Sequence, residues 1–462
     1  MKTTISNMIY ITDPSPELRQ YVKDQLELPN PDFVKKERMG FWTGRTPKVL
    51  RLYEWNGNTL VLPFGLCREL MPLLRAGEIS NAFTGGTDVD YGKPIPLYDY
   101  QREAVAAMVT KTYGILKSPA GSGKTRCALA MIQAIGKKAL WLCHTADLLS
   151  QSKESAEEFM PKSMMGTITE GKVNIGEGIT FATVQTMCNV DLNRYRDEWD
   201  MIVIDECHNV SASANTVTRY QKVLNGLAAR HVYGITATPY RSDGLEKAMF
   251  AMLGRVVYEV PEESVADRIM KVTIRRVDTD AEITDDCLNV DGTINFPRLI
   301  SHLTTDEKRN RMIVDAIIQN RGHSCIVLSD RLSQLDAIHS MLPDDLKDKA
   351  MVISGKMTSK KEKALRQEVI EKMRTGEMQI LMASYKLCRE GLNIPVLDRL
   401  FMASPVKFVS VVVQSIGRIA RTAEGKESPV CYDFVDSRIG YCERAYKERC
   451  RSYRKTGALI ER

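Results

Sequence analysis

The chain has 462 residues, which at roughly 150 residues per domain makes room for about three domains. A composition of 44% hydrophobic and 26% charged residues is that of a soluble globular protein, with no apolar run near the ~18 residues of a membrane helix and no long apolar leader at the N-terminus. Eleven cysteines without a C-x-x-C pair and six scattered histidines argue against a cluster or metal site and for reduced core thiols in the cytosol, and a net charge of +6 permits a polyanionic partner without specifying one.

Residues 1–80 read as a small α+β module. KVLRLYEW and NTLVLP flank Asn56-Gly57, a hairpin-turn signal. Between Pro31 and Arg51 stand six Lys or Arg against two acidic residues, with Phe41, Trp42 and Tyr53 interleaved. Lys35, Lys36 and Arg38 are therefore candidate phosphate contacts and the aromatics candidate base contacts. The alternative is that Phe41 and Trp42 form the core of the module and the charges solvate it. Residues 81–96 (around NAFTGGTDVDYGKP) read as a linker.

From about 97 to 440, apolar strand-like runs alternate with amphipathic helical runs, the pattern of parallel α/β sheets. In residues 97–260 the expected strands are YGIL, KALWLCH, GITFATV, DMIVID and HVYGITA. YGIL leads into Ser118-Pro119-Ala120-Gly121-Ser122-Gly123-Lys124-Thr125, close to the phosphate-cradling loop G-x-x-x-x-G-K-[ST] but with Ser118 where the first glycine usually stands. A helix, KTRCALAMIQAIG, follows and stops at Gly136. Glycines turn backbone N–H groups toward phosphate oxygens and the helix directs its positive end there. Lys124 is expected to meet the β- and γ-phosphates of ATP and the Thr125 hydroxyl to ligate Mg²⁺. About 80 residues on, IVIDECHN sets Asp205 and Glu206 at a strand end. One carboxylate there can hold the metal and the other can position and deprotonate the attacking water.

The polar stretch 261–310 reads as a connector to a second α/β domain, 311–440, with strands SCIVLSD, AMVIS, MQILMAS, RLFMAS and SPVCYDFV. QSIGRIAR supplies Gln414, Arg418 and Arg421 on an expected helix, where arginines three apart share a face and can spread charge developing on a γ-phosphate. Residues 441–462 read as a basic C-terminal helix, its tyrosines packed inward and its charges outward.

In order and spacing, these motifs resemble those of a superfamily 2 helicase with two tandem RecA-like domains, a likeness covering about residues 95–440. The resemblance implies a role for each further motif. LYDYQ resembles the adenine-reading motif, with Gln101 on the base and Tyr98 where the family usually has Arg. WLCHTADLLSQ (His144) and FATVQTM (Thr183, Gln185) resemble motifs Ia and Ib, and IVLSDR (Ser329) resembles motif IV; these residues are implied to lie on the nucleic acid. ASYKLCREGLNIP resembles motif V, with Ser384 on a phosphate and Glu390-Gly391 near the nucleotide; Asn393 replaces the common Asp. GITATP resembles motif III, and His208, Thr236 and Thr238 are implied to couple hydrolysis to strand movement.

DECH with TATP and QxxGRxxR departs from the DEAD-box pattern and is similar to the XPB and phage UvsW group. NPDFVKKERMGFWTGRTPKVLRLYEW and LTTDEKRNRMI support the same likeness. It implies an ATP- and Mg²⁺-dependent, monomeric DNA helicase acting on single-stranded and branched duplex DNA (forks, recombination intermediates, R-loops) in the cytoplasm of a bacterial or phage-infected cell. A duplex translocase of a repair or restriction complex, an RNA helicase and a decayed, non-enzymatic binding module remain as alternatives.

Overall fold

Runs such as Met201–Asp205 (MIVID) and Ala139–Cys143 (ALWLC) are apolar at every position or nearly so and are wholly buried, as strands inside a parallel sheet are. The computed structural model describes residues 1–461 except 84–85, 120, 170, 214–216, 241–243, 356, 358–359, 390–391, 393 and 407–408, and only the backbone of 266–268, 360, 363, 389 and 409–410. The chain divides into two compact units, Met1–Pro119 with Gly123–Ser264, and Ala120–Ser122 with Val265–Arg462.

Among the described residues the first unit holds three sheets, the smallest being the antiparallel pair Glu27–Pro29 and Val49–Arg51. The N-terminal sheet runs Glu54–Asn56, Thr59–Pro63, Met8–Thr12, Lys2–Ile5, Glu78–Asn81; every pairing is antiparallel except the last. The expected hairpin is there, with Gly57 turning at φ +59°. The helix Pro16–Leu26 opens where Ser15 Oγ accepts the Leu18 N–H at 3.2 Å, with Pro16 at its first position, and buries Leu18, Val22 and Leu26 in the module's core. That core continues into Ala248 and Ala251 of the helix Glu246–Leu253.

The large sheet of this unit is ordered Lys172–Asn174, Met165–Thr169, Ile179–Thr183, Ala139–Cys143, Met201–Asp205, His231–Thr236, Tyr113–Lys117, Val256–Glu259, parallel but for its first strand. Residues 81–96 lie along this unit. Tyr91 is buried, with its hydroxyl 2.9 Å from Lys137 O and 3.0 Å from Gly178 O, and Gln133 Oε1 accepts the Ile95 N–H at 3.0 Å.

The second unit holds an all-parallel sheet ordered Ala350–Ile353, Ile380–Ser384, Cys325–Ser329, Arg399–Met402, Val430–Val435, Thr273–Asp278, Leu459–Ile460. The connector expected over 261–310 therefore carries a strand of this sheet. TIRRVD reads as polar because its arginines are ion-paired rather than absent from structure: Arg276 with Asp278 (2.6 Å) and Glu443 (2.9 Å), and Arg275 with Glu461 (2.8 Å). Two buried pairs lie deeper, Arg309–Asp436 at 2.7 Å and Arg449–Asp433 at 2.8 Å. All eleven cysteines are free thiols, and all but Cys67 and Cys450 are buried. Among the described residues no helix is long and apolar enough to cross a membrane.

Candidate active site

The phosphate loop joins the strand Tyr113–Lys117 to the helix Lys124–Ile135. Gly121 and Gly123 adopt φ of +83° and +78°, the left-handed region that side chains disfavour, so glycine is required there. Ser118 is fully buried and its N–H donates to Thr236 O at 3.0 Å, which ties the loop to the neighbouring strand. Gln101 is also buried. Its Oε1 accepts the Tyr98 N–H at 3.1 Å, and a Cβ placed on Gly123 would stand 2.6 Å from its Nε2. The glutamine expected at the base is thus packed against the loop, and the helix N-terminus carrying Lys124 and Thr125 is the favourable end for an anion. Ala120 lies outside the described residues.

At the end of the strand Met201–Asp205, Asp205 Oδ2 accepts the Ser152 hydroxyl at 3.2 Å and Oδ1 accepts the Glu206 N–H at 2.9 Å. Burial raises the Asp205 carboxyl above its ordinary 3.8, the adjacent Glu206 raises it further, and the Lys124 ammonium opposes both. Glu206 sits at φ +47°, ψ +53°, a strained conformation for a non-glycine residue and one that persists where function holds it. Its Oε2 accepts the Thr236 hydroxyl at 3.4 Å and lies 3.2 Å from His208 Nδ1, which is itself 3.0 Å from Thr236 Oγ1. Thr236 Oγ1 in turn accepts the Thr238 N–H at 3.2 Å. The residues expected to couple hydrolysis to movement therefore share one hydrogen-bonded network with the acidic pair. The buried Asp205 carboxylate is a hard oxygen donor of the kind Mg²⁺ takes.

The residues expected on nucleic acid are placed unevenly. His144 follows the strand Ala139–Cys143. Thr183 Oγ1 accepts the Thr186 N–H at 3.2 Å as the cap of a short helix. Gln185 lines a cleft of about 480 Å³ with Lys172, Asn189, Arg194 and Tyr195, and its buried Oε1 has no hydrogen-bond partner among the described residues. Ser329, expected at the strand, is fully buried; its hydroxyl donates to Gln334 Oε1 at 2.5 Å and accepts the Arg331 N–H at 3.1 Å. It holds its own turn instead of presenting a donor to solvent. Ser384 Oγ likewise accepts the Leu387 N–H at 3.2 Å. Glu390, Gly391 and Asn393 lie outside the described residues.

Lys35, Lys36 and Arg38 stand on the helix Pro31–Arg38, which buries none of its residues. Phe41 and Trp42 are 63% and 80% exposed, so they are not core of the module.

Within the second unit, Gln414 and Arg418 lie on the helix Val409–Ile419. That helix ends before Arg421, so the two arginines do not share one helical face as expected. Arg418 donates through Nε to Cys388 O and through Nη1 to Leu392 O, each at 3.0 Å, which binds the helix to the segment before 393. Arg421 lies in a bridge with Ile269; burial, then Arg418, lower its guanidinium to about 10. Two positions escaped the sequence. Ser152 orients Asp205, and Lys426 Nζ donates to Pro395 O (2.9 Å), Ile419 O (2.7 Å) and Arg421 O (2.6 Å). Neither carries a motif: Ser152 acts through a carboxylate far along the chain, and Lys426 acts through backbone carbonyls, which leave no side-chain signature.

Comparison with known proteins adds two family matches. The family described as "Type III restriction enzyme, res subunit" matches residues 94–241, and "Helicase conserved C-terminal domain" matches 308–423. Over 331 residues the chain is 28% identical to a protein of Acanthamoeba polyphaga mimivirus named as an ATP-dependent RNA helicase, covering 70% of this chain and 60% of that one. Over 360 residues it is 24% identical to the DNA 3'-5' translocase XPB2 of Sulfurisphaera tokodaii, covering 71% and 79%. The chain thus spans 60% of the first relative's length and 79% of the second's. Among solved structures, S. cerevisiae Dbp5 bound to RNA and ADP BeF3 is similar with a TM-score of 0.57 at 15% identity, covering 80% of this chain and 90% of that one. At that identity the likeness is one of fold.

Proposed function

The chain belongs to the superfamily 2 helicases of the XPB/UvsW type, and from that premise we propose that it hydrolyses ATP to move on DNA and remodel branched forms of it: forks, recombination intermediates and R-loops. Both large sheets belong to RecA-like domains, and the helicase domains imply ATP hydrolysis. The observation that carries the reading is the network joining Glu206, His208 and Thr236, since it couples the hydrolytic carboxylate to a strand-end loop.

Lys124 and the loop N–H groups bind the phosphates, and Gln101 reads the base. Thr125 and Asp205 would hold Mg²⁺, which when bound neutralises charge between the β- and γ-phosphates. Glu206 takes the proton of the attacking water. Arg418 and Arg421 supply positive charge as the γ-phosphoryl group transfers. Support for DNA rather than RNA comes from the motif likeness to the XPB/UvsW group and from the XPB2 relative. Support for branched substrates comes from that same likeness and from the exposed basic and aromatic residues of the N-terminal module. The proposed enzyme acts as a monomer in the cytoplasm of a bacterial or phage-infected cell.

An RNA helicase is the second reading, favoured by the mimivirus relative. Steady-state ATPase rates with single-stranded, forked and four-way DNA, against RNA of matched length, separate the two. Stimulation by forked and four-way DNA above single strands and RNA supports the proposal; stimulation by RNA alone overturns it.

A further inference from the structure

The two faces of the helix Gly440–Lys455 treat charge differently. Its inner face buries Cys442, Ala445, Tyr446, Arg449, Ser452 and Tyr453. Charges beside that packing are matched: Arg449 grips both Asp433 oxygens at 2.8 Å, and Glu443 accepts from Arg276 at 2.9 Å. The outer face exposes Arg444, Lys447, Glu448, Arg451, Arg454 and Lys455. At 3.6 residues per turn its five cations fall within an arc of about 100° and along about 16 Å. Among the described residues none of the five has an ion-pair partner. Arg454 and Lys455 stand in the last turn, where the helix dipole favours cations. Arg444, Lys447 and Arg451 stand earlier, where it does not, so the dipole gives no reason for their charge.

We infer that this row is a contact surface for the sugar–phosphate backbone of duplex DNA, an inference that rests on the proposed action on nucleic acid. A duplex carries one negative charge per ~1.7 Å of axis in a fixed lattice, which a rigid line of cations meets without ordering either partner. Single-strand sites use exposed aromatics for stacking, and the outer face has none. A membrane-surface helix needs an exposed apolar face, and that is also missing here. Contacts of this kind position a protein without reading sequence.

The test uses the full chain with Arg444, Lys447 and Arg451 all changed to Gln. Affinity for a blunt duplex and for an unstructured single strand is measured across salt concentrations, alongside DNA-free ATPase and thermal melting. Each duplex phosphate that is no longer neutralised flattens the log–log salt slope by about 0.9, so a fall of up to ~2.7 is expected. The single-strand slope, DNA-free ATPase and melting should be unchanged. A variant that melts normally and keeps the duplex slope overturns the inference, and equal flattening for both DNAs overturns the duplex assignment. If the triple variant misfolds, Glu448→Gln serves instead: deleting the only outer-face anion should tighten duplex binding, and unchanged affinity counts against the surface. Wild-type protein that binds neither DNA would instead defeat the underlying functional reading.

Discussion

Glu206 occupies a left-handed backbone conformation at the end of a buried strand, fixed by its own N–H on Asp205 and by Thr236 and His208 on its carboxylate. Replacing it with Gln keeps the shape and removes the proposed base. Glu206→Gln should still bind ATP while turnover falls by ~10² to 10⁴, the usual weight of general-base catalysis; turnover within a few-fold of wild type would contradict the assignment. Asp205 gives a stability prediction of opposite sense. Its folded carboxyl is raised above 3.8, so folding favours the protonated form, and ionisation costs stability as pH rises past the ordinary carboxylate range. At neutral pH without Mg²⁺, Asp205→Asn should raise Tm by on the order of a few degrees while abolishing turnover. A lowered Tm would mean that the carboxylate is structural. Lys426 anchors the backbone on either side of the Arg421 position. Lys426→Met should lower kcat with ATP binding largely kept, with partial recovery in Lys426→Arg; equal losses in both, or none, would exclude a positioning role. Lys124 and Glu206 stand out in the sequence because the proposed phosphate and water chemistry demands those residue types at fixed spacing. Ser152 and Lys426 do not, since an isolated serine or lysine acquires meaning only from what the fold brings beside it.

The elements were legible where burial was complete. Every expected strand of the two large sheets is present because an unbroken apolar run bounded by polar turns has one reading. Thr273–Asp278 was hidden because ion pairs permit arginines within it, and Leu459–Ile460 because two residues carry no periodicity. The end of the helix at Ile419 was hidden for a related reason: Arg418 and Arg421 share a face only on a helix running two residues longer. In the N-terminal module, sequence left Phe41 and Trp42 between core and surface, and their exposure removes the core reading. Changing Lys35, Lys36 and Arg38 together to Gln should weaken DNA binding and flatten the salt slope, by about 0.7 for each phosphate left unneutralised on single strands or 0.9 on duplex. DNA-free ATPase should not move, and forked DNA should lose more affinity than a plain strand. A folded triple variant with wild-type affinity and slope would reduce the cluster to a solvated face.

At the scale of the molecule, two parallel sheets carry the two halves of the motif set, the phosphate loop and acidic pair on one and the glutamine–arginine helix on the other. The family and its ATPase chemistry were legible because so many short motifs recur in register. Substrate choice was less so, because it depends on exposed surfaces whose composition resembles any solvated face. The most direct measurement is ATP-dependent strand displacement from a four-way DNA junction, with an RNA duplex of the same sequence and the Glu206→Gln variant as controls. ATP-driven remodelling of branched DNA predicts that the wild type resolves the junction only with hydrolysable ATP, leaves the RNA duplex intact and loses the activity in Glu206→Gln. Displacement of RNA with the DNA junction untouched, or junction resolution that persists in Glu206→Gln, would contradict it.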